Sequence, residues 1–237
     1  MFERQVIVHA ESNPEEEVCG FVLLNKDLSV SVEPAINEHS APRDCFAISP
    51  RSFIRRSMSK TIIGVYHSHP RSNERPSDPD IAMSEEMGIP YLIYSVITKK
   101  FFLYYPESYE PKRLTGNPYV KGFFECTCLL KDYFKKELNI NISKWNENYW
   151  LPQEDKDANR LLINILNNNL NKIEDKKLQK HDVIVFQVGR NNRCHVGVYC
   201  GDDYFIHQAD KILSRKELLD HRWQAKIKEV YRHSSLV

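Results

Sequence analysis

No segment of this chain is an uninterrupted apolar run of the roughly 20 residues that a bilayer span needs, so membrane insertion is not expected. A charge excess is missing too. Lys and Arg number 33 and Asp and Glu 32, a net charge of +1, which suggests neither nucleic acid nor an anionic membrane surface as a partner. The start, Met1-Phe2-Glu3-Arg4-Gln5, lacks the basic-then-apolar pattern of a secretory signal, so the product is expected in a cytoplasm. The six cysteines, at positions 19, 45, 126, 128, 194 and 200, include no Cys-x-x-Cys pair and form no dense framework. Reduced thiols are expected, most of them small buried hydrophobes and one available for catalysis. There is no internal repeat.

What the chain does have is length and apolar content. Its 237 residues, 41% of them apolar, suffice for two domains of roughly 100–150 residues, each with its own core. The most informative stretch is Gly64-Val65-Tyr66-His67-Ser68-His69-Pro70, followed by Ser77-Asp78-Pro79-Asp80. Ile62 to Tyr66 reads as a short buried strand. On an extended backbone His67 and His69 point to one face. Pro70 ends the pairing, 71–75 is a polar loop, and Ser77 to Asp80 opens a helix. Taken alone, Ser77-x-x-Asp80 is a capping box, and capping would hold Asp80 at its helix start. Two strand-end imidazoles and that carboxylate can also converge on one ion. The donor set suits zinc, with a position left open for water.

The pattern His67-Ser68-His69, seven residues, then Ser77-x-x-Asp80 resembles the JAMM metalloprotease motif. The remaining element of that motif is an upstream glutamate, and Glu17, two residues before Cys19-Gly20, stands where the family has it. Glu15 and Glu16 read as solvated carboxylates before a strand. The resemblance implies zinc held by His67, His69 and Asp80, with Glu17 as general base. It implies that Ser77 polarises the substrate carbonyl or steadies the oxyanion, and it implies a cytidine-deaminase-like sandwich.

Around this motif the pattern predicts helix over 2–10, strands over 18–24, 29–36 and 46–48, and a basic-faced helix over 50–59. Helix follows over 79–87, then a hairpin of 91–98 and 101–105 around Lys99-Lys100. Strands alternating with helices predict an α/β layer fold. Residues 106–113 are polar and bracketed by prolines, as linkers are. The expected domains are therefore 1–105 and 114–237.

Beyond the linker, the loop Gly116-Asn117-Pro118-Tyr119 leads to Gly122 and then into a helix opened by Glu125-Cys126-Thr127-Cys128. A cysteine at a helix N-terminus feels the positive end of the dipole, which favours thiolate. Its partner must be a distant histidine. Three segments, 181–186, 194–199 and 204–207, read as successive antiparallel strands, with His195 opening the second and His207 closing the third. Cys194 is expected to point to the opposite sheet face. Residues 155–168 suggest an amphipathic helix followed by a solvated excursion, 214–221 a helix and 226–231 a last strand, with Trp223 in the core.

The Pro-Tyr-x-x-Gly loop, the acidic residue before Cys126 and His195-Val196-Gly197-Val198-Tyr199 resemble the NlpC/P60 peptidase domain. Glu125 replaces the usual aspartate, and Cys128 stands where a small residue is usual. The resemblance implies a papain-like fold, with Cys126 as nucleophile, His195 as general base, His207 as the orienting third member and Tyr119 as an oxyanion contributor. The expected fold class is thus α/β and α+β, a JAMM domain followed by an NlpC/P60 domain.

That pairing resembles the tail tip assembly family of lambda-like phages. It implies a tail-associated hydrolase whose partners are phage tail tip and hub proteins and bacterial peptidoglycan, with no nucleic acid. It further implies location in the host cytoplasm during assembly and at the virion tail tip. The C-terminal half would cut cell-wall peptides, and the metal domain a target of its own. Two other readings stay open: a chiefly structural tail component with occluded pockets, and an intracellular JAMM isopeptidase.

Overall fold

The structure, a computed structural model, describes residues 2–111, 113–142, 168–188 and 194–237, apart from the side chain of Cys194. Backbone contacts divide these into two compact units, one ending at Tyr109 and the next beginning at Glu110.

The first unit contains α1 (Phe2–Glu11), β1 (Cys19–Leu24), β2 (Val30–Ala35), α2 (Pro50–Ser57), β3 (Thr61–His69), α3 (Asp78–Met87), β4 (Tyr91–Ser95) and β5 (Phe101–Tyr104). Its sheet runs β2-β1-β3-β4-β5. All neighbours are antiparallel except β3 and β4, which are parallel and joined through α3. β1 and β4 are buried along their whole length, as strands covered on both faces are. Val6 and Ala10 of α1 are fully buried, and α1 reaches the sheet through His9 to the Tyr66 hydroxyl (2.8 Å) and Glu11 to the Tyr94 hydroxyl (2.8 Å). The other face holds Phe21, Val65, Tyr91 and Ile93, with Phe46, Ile48 and Phe53 packed on them.

α3 is held at both ends. Ser77 and Asp80 form a capping box, and Gly88 closes the helix in the left-handed conformation at φ 61°, where a side chain would be strained. Glu85 of the same helix accepts hydrogen bonds from the amides of Glu107 (2.8 Å) and Ser108 (3.0 Å), fastening the start of the proline-bracketed stretch to this unit.

The second unit has α4 (Cys126–Leu138), β6 (Leu170–Lys172), β7 (Val183–Gln187), β8 (Cys194–Gly201), β9 (Tyr204–His207), β10 (Arg215–Leu218), α5 (His221–Gln224) and β11 (Ile227–His233). Its antiparallel sheet runs β10-β9-β8-β7-β11-β6. Leu129, Leu130, Tyr133 and Phe134 of α4 pack on Val185, Val196, Val198 and Ile206. Each such fully buried side chain contributes about 1.5–3 kcal/mol. Phe186, Phe205 and Leu219 build a second cluster, with Trp223 partly buried against it. Arg232 grips the fully buried Asp182 through two bonds of 2.7 and 2.8 Å.

Three local expectations are corrected. Residues 46–48 are not a strand. Only Ala47 is bonded there, its carbonyl to the Glu38 amide and its amide to the Asn37 side chain, and one rung does not make a ladder. Residues 214–221 are not a helix. Arg215–Leu218 pairs with β9, and helix begins only after Asp220, whose carboxylate accepts from the amides of Arg222 and Trp223. Tertiary pairing here overrides a helix-prone Arg-Lys-Glu-Leu run. Leu170–Lys172 is an edge strand on β11, not part of a solvated excursion. The helix expected over 155–168 lies almost wholly outside the described residues, as does the side-chain direction of Cys194.

Gly197 faces His207 across β8 and β9, and a Cβ there would sit 2.8 Å from Phe205 and 2.9 Å from the Ile206 carbonyl. Gly197→Ala should therefore destabilise the chain by about 1–3 kcal/mol, read as a lower urea midpoint. Gly116→Ala meets only the end of the Arg113 side chain, but at φ 78° it carries backbone strain instead, so it is not a neutral control.

Candidate active sites

In the first unit the register of β1 against β3 places Cys19 opposite His67. One pleat repeat further, Glu17 comes opposite His69, and its carboxylate lies 4.0 Å from His69 Nε2. Glu17 is buried, whereas the Glu15 side chain is exposed and paired with Arg71. Asn37 fixes this corner. Its side-chain amide donates to the carbonyls of Glu17 (2.9 Å) and Cys45 (3.0 Å), and its oxygen accepts from the amides of His39 and Ala47.

His67 and His69 turn their Nε2 atoms toward each other at 3.2 Å, and Asp80 lies 3.2 Å from one and 3.4 Å from the other. Ligand atoms of these three buried residues all fall within 4.8 Å of one another. His69 Nδ1 is bonded to the Asn73 carbonyl at 2.7 Å, so it carries the proton and leaves the Nε2 lone pair for an ion. His67 Nδ1 is buried with no hydrogen-bond partner, under the stacked ring of Phe46 at 4.5 Å between centroids. Two imidazoles and a carboxylate converging in this way fit zinc. Ser77 Oγ is 2.6 Å from Asp80 Oδ2.

Burial raises the Glu17 carboxyl to about 7, with Asp80 and Asp44 adding to the effect and His69 opposing it. Burial lowers His67 despite Asp80. For His69 burial also acts downward, but Asp80, the Asn73 carbonyl and Glu17 prevail and its pKa rises. A cavity of about 580 Å³ opens beside these groups, with Glu17, Ser77 and Asp80 on its wall and Phe46, Phe53, Met83 and Met87 making much of the rest apolar.

In the second unit Cys126 is the first residue of α4, and the backbone of Val196, the residue after His195, is among the groups that favour its thiolate. His195 Nε2 is 3.0 Å from His207 Nδ1, and His207 Nε2 is 2.9 Å from Glu217 Oε2. Glu217 also accepts from Arg215 (2.9 and 2.7 Å) and from the Trp223 indole (3.0 Å). Cys128 is buried and its thiol donates to the Gly122 carbonyl at 3.0 Å, a packing role. Tyr119, 37% exposed, lies near Glu125 and Cys126, and burial followed by those charges raises its pKa. Its loop is tied down by the Asn117 amide donating to Ser214 Oγ (2.9 Å) and the Ser214 amide to the Asn117 carbonyl (2.8 Å).

The thiol does not follow the expectation from the helix dipole. Burial pushes Cys126 up to about 12, Glu125 adds to this, and the amides of Val196, Thr127 and Cys126 only partly offset it. Burial, then His207, brings His195 down to about 3. Thiol and imidazole are therefore both neutral at rest, so sulfur attack needs a base to take its proton.

Two residues were missed from sequence. Asn37 had only its place after β2 to mark it. Glu217 was read as helical, and only its alternation with Lys216 and Leu218 hinted at a strand.

Residues 2–108 match the prokaryotic homologs of the JAB domain and residues 116–232 the NlpC/P60 family. The chain thus joins a JAB-type domain to an NlpC/P60-type domain, the class of peptidase-type protein that the two sites define. Over most of its length it is similar to tail tip assembly protein K. The protein of that name from Escherichia phage N15 is 23% identical over 232 residues, covering 98% of this chain and 93% of the relative. The one from Escherichia phage lambda is 24% identical over 187 residues, covering 78% and 89%. The chain is also similar to a desampylase of Haloferax volcanii, 30% identical over 93 residues, covering 36% of this chain and 67% of that protein.

Partial burial acts to raise Glu217, but the bonds from Trp223, Arg215 and His207 outweigh it and bring the carboxyl from its ordinary 4.5 to about 2. A depressed carboxyl pKa adds stability that is complete above the unfolded value and is lost as pH falls through the folded one. Between pH 4.5 and 2 the urea midpoint of the wild type should therefore fall more steeply than that of Glu217→Gln, followed by circular dichroism.

Proposed function

We propose that this chain acts at the phage tail tip as an assembly component with two hydrolytic centres. The boundary between them lies in 106–113, with the metal domain over 1–105 and the cysteine peptidase over 114–237. The C-terminal centre cleaves peptide bonds of bacterial peptidoglycan, and the N-terminal centre is a zinc peptidase acting on a target of its own. Phage tail tip and hub proteins are the partners, in the host cytoplasm during assembly and at the virion tail tip afterwards. Neither nucleic acid nor membrane insertion enters this reading. The observation that carries it is the contact of His195 Nε2 with His207 Nδ1 at 3.0 Å, beside a cysteine that opens a helix.

In the cysteine centre His195 takes the thiol proton as sulfur attacks the carbonyl carbon. Tyr119 and the amides at the start of α4 stabilise the oxyanion. The C–N bond breaks, and the amine leaves with the proton from His195. Water then attacks the thioester, His195 takes a proton from it, and the thiol is restored as the acid departs.

In the metal centre His67, His69 and Asp80 would hold zinc, which supplies Lewis acidity and a water of lowered pKa. Glu17 takes the proton of the attacking water and passes it to the leaving amine. Ser77, on the cavity wall beside Asp80, steadies the substrate carbonyl.

The test is incubation of purified peptidoglycan with the wild type, His67→Ala and Cys126→Ala, with fragments read by mass spectrometry. Cys126→Ala should lose wall cleavage by 10³-fold or more, on the order expected for a missing nucleophile, while His67→Ala keeps it. Bound zinc, measured by elemental analysis, should fall from about one per chain to near none in His67→Ala and Asp80→Ala. Wall cleavage that persists in Cys126→Ala would defeat the reading of the C-terminal half. Absence of zinc from the wild type would defeat that of the N-terminal half.

A further inference from the structure

The cysteine centre does not end at its second histidine. His207 is fully buried, and its Nε2 meets Glu217 Oε2 at 2.9 Å, on the strand beyond. Register accounts for the contact. Arg215 lies opposite His207 and Glu217 opposite Phe205, so both β10 side chains share the face that carries His207. Arg215 and the Trp223 indole donate to the same carboxylate, leaving it turned inward and ionised.

The geometry points to Glu217 as the residue that sets the tautomer of both histidines and so hands His195 its role as base. An ionised carboxylate only accepts, so His207 Nε2 must carry a proton. A neutral imidazole has one N–H, and His207 Nδ1 is then an acceptor. His195 Nε2, 3.0 Å away, must donate to it. The proton count thus leaves His195 Nδ1 with a lone pair, the nitrogen that accepts the thiol proton in the mechanism proposed above. Burial lowers the pKa of His207 even with Glu217 beside it, which keeps the chain in this neutral form at rest. When His195 gains the thiol proton, the new positive charge is two hydrogen bonds from the Glu217 carboxylate. The charged and titratable groups around the chain are Cys126 from α4, His195 from β8, His207 from β9 and Arg215 with Glu217 from β10. On α5 Trp223 carries Lys226 4.6 Å above its ring. Glu217 touches neither thiol nor substrate, so it is a positioning residue, one that an isolated surface ion pair with Arg215 would not require.

The inference rests on the reading of the C-terminal half as a cysteine peptidase, but two of its readouts need no substrate. In the full wild-type chain, imidazole nitrogen NMR shifts should show Nδ1 of His195 and of His207 unprotonated at neutral pH. Alkylation of Cys126 by iodoacetamide, mapped by peptide mass spectrometry, should slow about tenfold at pH 7 in Glu217→Gln, one pKa unit of lost support for the imidazolium. Glu217→Asp, which keeps the charge, should recover part of that loss. With peptidoglycan as substrate, Glu217→Gln should lower kcat by a similar factor, with KM little changed and the acid limb of the pH profile moved to lower pH, because the imidazolium has lost its carboxylate. An unchanged alkylation rate in a folded Glu217→Gln chain, or a protonated Nδ1 on His207 in the wild type, overturns the assignment. If the wild type leaves peptidoglycan intact while tautomers and alkylation behave as stated, the role of Glu217 stands and only the substrate is wrong.

Discussion

Cys19 lies across from His67 in the antiparallel pairing of β1 with β3, and the chemistry of the first unit depends on that register. It brings Glu17, from the segment before β1, to the face where His67 and His69 already point. A slip of one residue would turn Glu17 away and present Glu16 in its place. The register is reinforced beyond the ladder by the Val18 amide donating to Ser68 Oγ (3.0 Å) and by the Asn37 clamp on the Glu17 carbonyl. Asp80 reaches the same point from a different direction, as the third residue of a helix whose start is fastened by its own capping box. The box and the proposed ligand role use the same carboxylate, so capping orients the group that faces the two histidines.

The second unit solves a related problem with a row of side chains on adjacent strands. Its candidate groups come from a helix end and three neighbouring strands, and along the strands each is oriented by the next: His195 by His207, His207 by Glu217. Gly197 makes room for this, since a side chain there would meet Phe205 and the Ile206 carbonyl. The motif glycine is thus explained by packing on the His207 side of the sheet. The resting charge state also follows from enclosure. Burial outweighs the helix-end amides at Cys126, so in the proposed mechanism the thiol gives up its proton on attack.

Much of the candidate site's layout was readable where its parts lie close in sequence. His67-x-His69 on a strand, Ser77-x-x-Asp80 at a helix start and Cys126 opening α4 are local patterns, and local backbone geometry is enough to orient them. His195 and His207 were readable as strand ends because the segments around them are strongly β-branched and aromatic. What failed was whatever depends on a partner distant in sequence. The 214–218 segment has helical composition, and only its pairing with β9 makes it a strand, so Glu217 stayed hidden with it. Phe46 looked like a strand residue because it is apolar, yet its place is set by the ring of His67 beneath it. Asn37 left little trace, since a loop asparagine becomes this clamp only when the Glu17 and Cys45 carbonyls and the Ala47 amide join the nearby His39 amide around it.

β10 is an outer strand, paired on one side only, yet the carboxylate that aligns two buried rings sits on it. Both of its ends are moored: the Ser214 amide to the Asn117 carbonyl at 2.8 Å, and the Leu219 amide to the Asp203 carbonyl at 2.7 Å. The sharpness with which the imidazoles are aimed is therefore a matter of mechanical compliance at the rim of the sheet. A beam pinned at both abutments bends little in its span, and two backbone bonds at the periphery do for the centre what a deeper core could not.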